Sequence, residues 1–485
     1  MIFALIISAI AAAAVTLQIH GWSDLLTETN GSCGGRHGGA CPQGAFLDTG
    51  LALIVAIFSV PMAFTMLFVA RPRFVALFAV LGIIGGIFAG QSFYADIHGT
   101  NLSQDWSLPY DNPPTLVTEG AWLVGASVVR VRTDEVVSYA GATGAVQWTF
   151  PVPGQDVVCA VTRTTAGQVG VIGYAAEDAP CDQLTAIDLT TGRKLWSTTV
   201  DASDTSDQGD GLTDFVSAAG NTVAVRGDAG VTAYDARTGA QQWTQPAQDN
   251  CDDQFVVSDP DTVLAVAACQ SGYVVADLDA ATGTPRWQTP VDEPIADSSY
   301  ELAVLSVNPV VIDDSIPGAR GIDNIRIFDG QGRQNTTIEA TNITTPDGPT
   351  SLDTSEYADP GFKPQPLIWT TVSGGTLVAM TKELNGHDDL VGYSTTTGRQ
   401  KWLTALPDDV DALTTRGNQI VLLDNGQPSP LLMSVNISTG SLSTLGVLAG
   451  QTLDGEAAGL YLAGGKYVVV SQTGDTPGGP VFAFG

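Results

Sequence analysis

The stretch "LTAIDLTTGRKLW" at residues 184–196 decides the fold, because it recurs four more times in closely similar form. Each copy has a β-rich run, then a Thr-Gly pair, three further residues and a tryptophan. Two weaker copies, at 325–336 and 431–444, end on threonine instead of tryptophan. The other full copies are "VVSYAGATGAVQW" (136–148), "VTAYDARTGAQQW" (231–243), "VVADLDAATGTPRW" (274–287) and "LVGYSTTTGRQKW" (390–402).

The spacing of the copies predicts a β-propeller. Successive end positions are separated by 48, 47, 44, 49, 66 and 42 residues, and 40–50 residues suit one four-stranded blade. Each unit also holds two earlier apolar runs, which gives four short strands divided by Gly, Asp and Asn turns.

Each motif residue has a physical task in such a blade. The glycine permits the positive φ of a tight hairpin, and the aspartate before the turn can accept hydrogen bonds from nearby backbone N–H groups. The tryptophan can pack as a large apolar plate against the next blade, although a ligand-stacking role is the alternative. The motif residues predicted to be structural are Trp148, Asp188, Trp196, Asp235, Trp243, Asp279, Trp287, Asp329 and Trp402.

The two ends of the repeat region are expected to meet. An eighth unit begins near Ala457 and contains three strands, the last in "PVFAFG" at 480–485. Trp106 lies 42 residues before Trp148, one repeat away, but no strand or Thr-Gly pair precedes it. We therefore predict that the strand around Trp106 completes the last blade, because closure removes exposed strand edges. The expected fold is an all-β, eight-bladed propeller of four-stranded antiparallel blades.

Three apolar runs, Met1–Leu17, Leu47–Ala70 and Phe74–Tyr94, precede the repeats. The two later runs are long enough to cross a bilayer as helices and the first is at the lower limit; a cleaved signal peptide is the alternative for the first. These lengths predict a membrane anchor of three transmembrane helices with an outer loop at 1–96, a linker at 97–102 and the propeller at 103–485.

Basic residues orient this anchor. Arg71 and Arg73 lie in the short connection between the second and third runs, which should face the cytoplasm. The propeller would then be extracytoplasmic, on a multi-pass protein of the cell membrane. Gly82, Gly86 and Gly90 form a small-residue stripe on the third run, for packing within the anchor or against a partner membrane protein.

Six cysteines fit the extracytoplasmic assignment, because disulfides persist in that compartment. They allow 15 pairings, and the pairing of sequence neighbours is Cys33–Cys41, Cys159–Cys181 and Cys251–Cys269. No Cys-x-x-Cys or Cys/His cluster is present, so the sequence predicts structural disulfides and no metal site.

The charge balance excludes two classes of partner. The chain carries 51 acidic and 20 basic residues, a net charge of −31. Residues 97–485 alone have 47 Asp and Glu against 17 Lys and Arg. Such a surface repels nucleic acid and anionic lipid.

The Asp-x-x-Thr-Gly-x-x-x-Trp frame resembles the PQQ-like (quinoprotein dehydrogenase-like) β-propeller repeat family, over about 380 residues from Ser103 to Gly485. That family includes quinone-dependent dehydrogenases and non-enzymatic scaffolds, such as the lipoprotein of the outer-membrane β-barrel assembly machine. The resemblance implies the fold and leaves the activity open. Adjacent cysteines are lacking, and the propeller region has one histidine, His387. No catalytic residue and no cofactor can be carried over.

Two loop segments are weaker candidates for binding. The segment 201–211 has Asp201, Asp204, Asp207 and Asp210 at every third position, without the alternate spacing of an EF-hand, and indicates a solvated acidic loop. The segment 341–366 is predicted to be a long loop, either an ordinary insertion or a partner loop anchored by Tyr357 and Phe362.

The sequence favours a non-catalytic protein-interaction scaffold on the extracytoplasmic side of the membrane. Its protein partner is unidentified, and a membrane protein is one candidate. The alternatives are a quinone-dependent dehydrogenase-like enzyme and a propeller that binds a small ligand or ion.

Overall fold

The structure is a computed structural model. It describes residues 2–28, 46–69, 80–90, 100–114, 116–176, 179–201, 215–227, 229–269, 272–291, 301–316, 322–341, 343–345, 348–356, 367–382, 388–426, 430–448, 457–475 and 478–485. These form two compact units. The smaller comprises Met1–Ser103, Leu423–Ser434 and Ser443–Thr452, and the larger comprises Gln104–Leu422, Val435–Leu442 and Leu453–Gly485.

Eight antiparallel sheets of four main strands account for the repeats, so the prediction of an eight-bladed propeller is confirmed. Blade 1 contains β3 (Thr118–Val124), β4 (Ser127–Arg132), β5 (Glu135–Ala140) and β6 (Val146–Pro151), and blade 2 contains β7 (Val157–Val161), β8 (Val169–Ala175), β9 (Gln183–Asp188) and β10 (Arg193–Thr199). Blade 3 contains β11 (Val216–Ala219), β12 (Thr222–Gly227), β13 (Gly230–Asp235) and β14 (Gln241–Pro246), and blade 4 contains β15 (Cys251–Ser258), β16 (Thr262–Cys269), β17 (Gly272–Asp279) and β18 (Pro285–Val291).

The second half continues the same order of strands, with short additions. Blade 5 contains β19 (Glu301–Val307), β20 (Val310–Ile316), β21 (Ile322–Phe328) and β22 (Gln334–Glu339), and blade 6 contains β28 (Thr370–Ser373), β29 (Thr376–Thr381), β30 (Asp389–Ser394) and β31 (Gln400–Ala405). Blade 7 contains β32 (Val410–Arg416), β33 (Gln419–Asp424), β34 (Leu431–Asn436) and β35 (Leu442–Val447), and blade 8 contains β36 (Ala457–Ala463), β37 (Lys466–Ser471) and β38 (Val481–Phe484). The additions are β1 (Thr100–Asn101), β2 (Gln104–Ser107), β23 (Ile343–Thr345), β24 (Gly348–Thr350), β25 (Leu352–Asp353), β26 (Ser355–Glu356) and β27 (Leu367–Ile368).

The ring closes as the sequence predicts. Strand β2 pairs antiparallel with β38, with Trp106 opposite Ala483 and Ser107 opposite Phe482. Blade 8 therefore has the order β2-β38-β37-β36 and takes its outermost strand from the N-terminal side of the repeats. A further strand, β1, pairs in parallel with β35 at the outer edge of blade 7.

The motif tryptophans join successive blades. Trp196 donates a hydrogen bond of 2.8 Å from Nε1 to the carbonyl of Ala236 in blade 3. Its ring covers Gly239, where an added Cβ would lie 2.7 Å from the indole. The residue before each such tryptophan forms a β-bulge, which aims the indole at the next blade. Corresponding pairs are Trp106 with Gly144, Trp148 with Gly192, Trp243 with Gly283, Trp287 with Gly332 and Trp402 with Gly440.

The core consists of apolar layers between neighbouring blades. Blades 1 and 2 share one layer, which includes Trp122, Val129 and Ile172. Another lies between blades 8 and 1 and contains Tyr139, Val468 and Val481, so the closing blade is packed like the others.

The extra segment of blade 6 differs from the predicted loop. Strands β23 and β24 form a hairpin, β25 pairs with β29 in blade 6, and β26 pairs with β27. The physical reason is burial, because Ile343 and Leu352 enter the apolar layer between blades 5 and 6. Tyr357 and Phe362 lie outside the described residues.

The N-terminal part contains α1 (Ile2–Glu28), a π-helical turn (Phe46–Leu51), α2 (Ala52–Val69) and a helix α3 at Val80–Gly90. Within the described residues, one segment, Leu5–Trp22, has the length and apolar composition of a membrane span. The other apolar helical segments, Thr49–Met62 and Val80–Gly90, are shorter than a span. The expectation of three spanning helices is thus met for one helix only, because the described apolar parts of the other two are too short for a bilayer.

Two of the three expected disulfides are present. Cys159 and Cys181 have Cα atoms 5.8 Å apart, and Cys251 is bonded to Cys269, its partner in the β15–β16 register. Cys33 and Cys41 lie outside the described residues.

We predict that Trp196 and Gly239 act as one unit. Trp196→Ala should lower the free energy of unfolding by roughly 3–5 kcal/mol, because it removes a large buried side chain. Gly239→Ala should lower the free energy of unfolding by more than Gly125→Ala does. Both glycines have positive φ, of 70° and 61°, but only Gly239 has the indole above it.

The test is a double-mutant cycle measured by chemical denaturation with far-UV circular dichroism. The excess cost of Gly239→Ala over Gly125→Ala should disappear in the Trp196→Ala background. An excess that persists without the indole would contradict this interpretation of the contact.

Candidate interaction face

The strand order divides the connections of the larger unit between two faces. The first strands of most successive blades contact each other around the ring. Because each blade is a four-stranded antiparallel meander, these first strands all run in the same direction along the central channel. One face, here the turn face, holds the connections from first to second strand and from third to fourth strand, including the Thr-Gly turns. The opposite face, here the carboxylate face, holds the connections from second to third strand and from each blade to the next.

Connection length differs between these faces. The turn-face connections have two to seven residues, the longest being 162–168 between β7 and β8. On the carboxylate face, 16 residues connect β10 to β11, nine connect β18 to β19 and nine connect β37 to β38. Long connections on a rigid scaffold are where binding functions concentrate.

Charge divides in the same way. The described residues of the carboxylate-face connections include ten aspartates and one basic residue, Lys382, whereas those of the turn face include three aspartates and four arginines. The ten aspartates are Asp111, Asp134, Asp156, Asp182, Asp201, Asp249, Asp388, Asp408, Asp409 and Asp475. The three are Asp259, Asp261 and Asp329, and the four are Arg163, Arg237, Arg333 and Arg399. At the strand ends that adjoin the turn-face connections lie three further aspartates, Asp188, Asp235 and Asp279.

The repeat aspartates at the turn face use their charge within the fold. Oδ1 of Asp188 accepts hydrogen bonds from the backbone N–H of Thr190 and Thr191, at 2.9 and 3.2 Å. The hydroxyl of Thr190 also donates to it, and these bonds lower the pKa of Asp188. Asp235, Asp279 and Asp329 accept bonds in the same way, with lowered pKa values. These carboxylates therefore fix turns.

A buried ion cluster lies where the chain passes from β2 to β3 on the carboxylate face. The guanidinium of Arg130, fully buried, lies 2.8 Å from a carboxylate oxygen of Asp111, and Arg132 lies 3.3 Å from the other. Asp111 also donates its backbone N–H to the carbonyl of Gly474 in blade 8. This cluster holds the segment 108–117 against the closing blade, so we assign it a structural role.

Two buried carboxyls near the carboxylate face have raised pKa values. Glu119, at the start of β3, is 3% exposed and accepts a hydrogen bond of 2.9 Å from the hydroxyl of Thr133. Burial raises its pKa to about 8, against the lowering effect of that bond. Asp313, near the end of β20, accepts a hydrogen bond from the hydroxyl of Thr354, and burial raises its pKa to about 7.

The side chain of Arg163 crosses the central channel. Nη1 of Arg163, just after the first strand of blade 2, donates a 2.9 Å hydrogen bond to the carbonyl of Val304 in the first strand of blade 5. These blades are not neighbours, so the side chain occupies the channel at this level. Among the described residues, no group of three His, Cys, Asp or Glu side chains could hold a metal ion.

Several predicted binding residues cannot be placed. Asp201 is exposed at the carboxylate face, whereas Asp204, Asp207 and Asp210 lie outside the described residues, as does His387. The sequence analysis did not single out Glu119, Arg163 or Asp313. The only sequence signal for Glu119 and Asp313 was a charge within an apolar strand run.

Comparison with known families gives the context of this ring. The family model described as "Outer membrane protein assembly factor BamB", a PQQ-like model, matches residues 103–219 and 132–358, more than half of the chain. The chain belongs to this family. No curated protein matches the sequence.

Among solved structures, BamB from Moraxella catarrhalis is 16% identical, with a TM-score of 0.46, covering 79% of this chain and 99% of that chain. Sqt1 from Saccharomyces cerevisiae is 12% identical, with a TM-score of 0.47 and coverage of 79% and 98%. The quinohemoprotein alcohol dehydrogenase ADHIIG from Pseudomonas putida HK5 is 13% identical, with a TM-score of 0.44 and coverage of 77% and 72%. At these identities and TM-scores, none of them assigns an activity to the chain.

We predict that Glu119 makes stability depend on pH. Its folded-state pKa of about 8 exceeds the ordinary value of 4.5, so the folded state binds the proton more tightly than the unfolded state. This contribution to stability is fully present below about pH 4.5 and is lost as the pH rises through about 8.

Glu119→Gln should therefore leave the melting temperature nearly unchanged at about pH 5 and raise it at about pH 8.5, because glutamine keeps an acceptor for Thr133 and carries no charge. Glu339→Gln, at an exposed position of β22, is the control and should show no such difference. If the melting temperatures of Glu119→Gln and the parent chain depend on pH in the same way, burial of the Glu119 charge does not determine the pH dependence of stability.

Proposed function

We propose that this chain is a membrane-anchored, extracytoplasmic scaffold that binds a protein partner through the carboxylate face and has no catalytic activity. The observation that carries the proposal is the distribution of the connections. Every long connection of the larger unit is on one face of a closed ring, while the other face has short turns. Such a platform can vary its contact loops without disturbing the apolar layers between blades.

The rigidity of the ring also supports a scaffold role without catalysis. Blade contacts repeat from Trp106 to Trp402, and the closing strand β2 removes the free edge of blade 8. The channel, where a ligand-binding propeller would hold a small molecule, is crossed by Arg163. The long connections then remain as the surface on which recognition can occur.

The N-terminal helices support the anchor. In the smaller unit, α3 packs closely on α1. A Cβ added at Gly86 would lie 2.2 Å from the carbonyl oxygen of Ala9, and one at Gly90 would lie 2.9 Å from that of Ala13. Small residues that allow such approach are typical of helices packed in membranes. We therefore propose the anchor at 1–96, the linker at 97–102 and the propeller at 103–485. Among the described helices α1 alone has the length of a span, so any further spans of the anchor are proposed from the lengths of the apolar runs Leu47–Ala70 and Phe74–Tyr94 in the sequence.

The disulfides support the proposal that the propeller lies on the extracytoplasmic side of the membrane. Cys159–Cys181 and Cys251–Cys269 both lie in the propeller, and disulfides persist in oxidising compartments. The basic connection at Arg71 and Arg73 is proposed to face the cytoplasm.

An epitope inserted between Arg71 and Arg73 tests this orientation. We expect it to be reached by antibody in inside-out vesicles and not in intact spheroplasts, because basic connections are retained inside. An epitope after Gly485 should show the reverse pattern. Labelling of the Arg71–Arg73 epitope in intact spheroplasts would contradict the proposed topology.

Photo-crosslinking tests the interaction face. A benzoylphenylalanine at Asp201 or Asp475, both exposed in long connections of the carboxylate face, should give one discrete crosslinked protein adduct in membranes. The matched positions Ala240 and Ala281, exposed on the turn face, should give none. The expectation follows because long connections concentrate contacts.

Two results would contradict the proposal. Crosslinks from the turn face alone, or from neither face, would remove the scaffold role of the carboxylate face. Quinone- and calcium-dependent dye reduction by the purified chain would contradict the proposal that the chain has no catalytic activity.

A further inference from the structure

The two disulfides of the propeller differ in the accessibility of their sulfur atoms. Cys159 and Cys181 are 3% and 1% exposed and belong to the apolar layer between blades 2 and 3. A Cβ added at Gly173 would lie 2.9 Å from Sγ of Cys181, so this sulfur is closely packed. In contrast, Cys251 and Cys269 are only half-buried, and they lie outside the apolar layers on the two sides of blade 4.

The more accessible bond lies at the open end of a hairpin, at the carboxylate face. Cys251 is the first residue of β15 and Cys269 the last of β16, and the two are opposite each other in the register. Backbone pairing then continues along the hairpin to Ser258, which lies opposite Val263. Because the two strands are paired along their length, opening of the disulfide would release their ends and leave the rest of the hairpin in place.

The chain that leads into Cys251 forms a constrained turn. The backbone N–H of Cys251 donates a 3.2 Å hydrogen bond to the carbonyl of Gln248, and Asn250, between them, has a φ of 60°. In the part of the chain that the structure describes, Asn250 is the one non-glycine residue with a positive φ. The left-handed region costs free energy even for asparagine, which tolerates it better than most residues. The disulfide fixes the residue after this turn, so its opening would allow the turn to relax.

We propose that Cys251–Cys269 is a site of reversible thiol–disulfide exchange with a dithiol, such as the paired cysteine thiols of an oxidoreductase, and that Cys159–Cys181 is not. Exchange begins with the attack of a thiolate on a disulfide sulfur, so it requires a sulfur that the thiolate can reach. The half-buried pair meets this requirement and the pair in the apolar layer does not. The site needs no protein partner at the carboxylate face, so it stands apart from the scaffold proposal.

The exchange consists of two substitutions at sulfur. A thiolate of the dithiol attacks one sulfur of the Cys251–Cys269 bond, forms a mixed disulfide and releases the other cysteine as a thiolate, which takes up a proton. The second thiol of the dithiol, as its thiolate, then attacks the mixed disulfide. This step oxidises the dithiol to its own disulfide and releases the first cysteine, which is also protonated. Two electrons and two protons pass from the dithiol to the protein, and an oxidised thiol in excess reverses the reaction.

Opening of the bond would act on one connection of the carboxylate face. Residues 247–250 connect β14 to β15, and Asp249 and Asn250 of this connection are exposed. Reduction should loosen the connection and leave the ring closed, because the apolar layers on both sides of blade 4 contain neither Cys251 nor Cys269.

The rate at which each disulfide is reduced in the folded chain tests the site. The full-length chain in non-ionic detergent is incubated with dithiothreitol, a small uncharged dithiol, and the thiols that form are alkylated at intervals and mapped by mass spectrometry. We expect Cys251 and Cys269 to be labelled at least about tenfold faster than Cys159 and Cys181, because reaction follows the exposure of the sulfur. In denaturant, where both bonds are exposed, the two rates should be nearly equal.

Hydrogen exchange measures the consequence of reduction. Exchange of the backbone N–H groups of residues 248–252 should become faster, while those of β16 and β17 remain protected. The double variant Cys251→Ser with Cys269→Ser should show the same local change and keep the far-UV circular dichroism of the parent chain. The matched variant Cys159→Ser with Cys181→Ser should lower the melting temperature by more, because it alters a buried apolar layer.

Three results would overturn the exchange site. The first is reduction of both disulfides at the same rate in the folded chain, or of Cys159–Cys181 first. The second is loss of protection throughout blade 4 after reduction, which would make Cys251–Cys269 a structural bond. The third is failure of that bond to form again in the folded chain when dithiothreitol is replaced by oxidised glutathione. Crosslinks from Asp201 or Asp475 would support the scaffold in each of these cases, so the two proposals fail separately.

Discussion

The contact of one tryptophan with the glycine of the next blade is the constraint on which this ring depends. The glycine serves two purposes at once. Its positive φ makes the turn after the third strand, and its missing side chain leaves room for the indole. A residue with a Cβ would strain the turn and displace the tryptophan together, so neither partner can change alone. Blade 5 carries Thr336 at this position, where its hydroxyl lies nearest to Gly398. At that junction, burial of Ile343 and Leu352 from the extra segment supplies apolar contact that the indole supplies elsewhere.

Much of the fold could be predicted from sequence because its signals are local and repeated. The Thr-Gly turns, the bulged tryptophans and the spacing of about one blade are all visible in single units, and the incomplete last unit pointed to Trp106. Two disulfides followed from sequence proximity. The helices were less predictable. An apolar run indicates that a segment avoids water, but the bounds of a helix depend on neighbours such as α1, against which Gly86 and Gly90 pack.

The candidate site was much less predictable, because it depends on which connections share a face. A net charge of −31 is a property of composition and has no direction. Asp188 and Asp249 look alike in sequence, yet one accepts backbone N–H groups in a turn and the other is exposed on the opposite face. The bond from Arg163 to Val304 joins residues 141 positions apart, and no local pattern could have indicated it. The raised pKa values of Glu119 and Asp313 arise from burial in the folded chain, which a single strand of sequence does not show.

Screening gives the length of the connections a physical meaning. At physiological ionic strength the Debye length is about 8 Å, so charges on a flat ring would be felt only by a partner already in contact. Asp475, exposed in the nine-residue connection from β37 to β38, holds a carboxylate beyond the strand ends. At the turn face, the carboxylates of Asp188, Asp235 and Asp279 are instead bonded to the backbone of short turns. The same antiparallel order of strands that makes each blade therefore also separates a face suited to fixing the ring from a face suited to recognition.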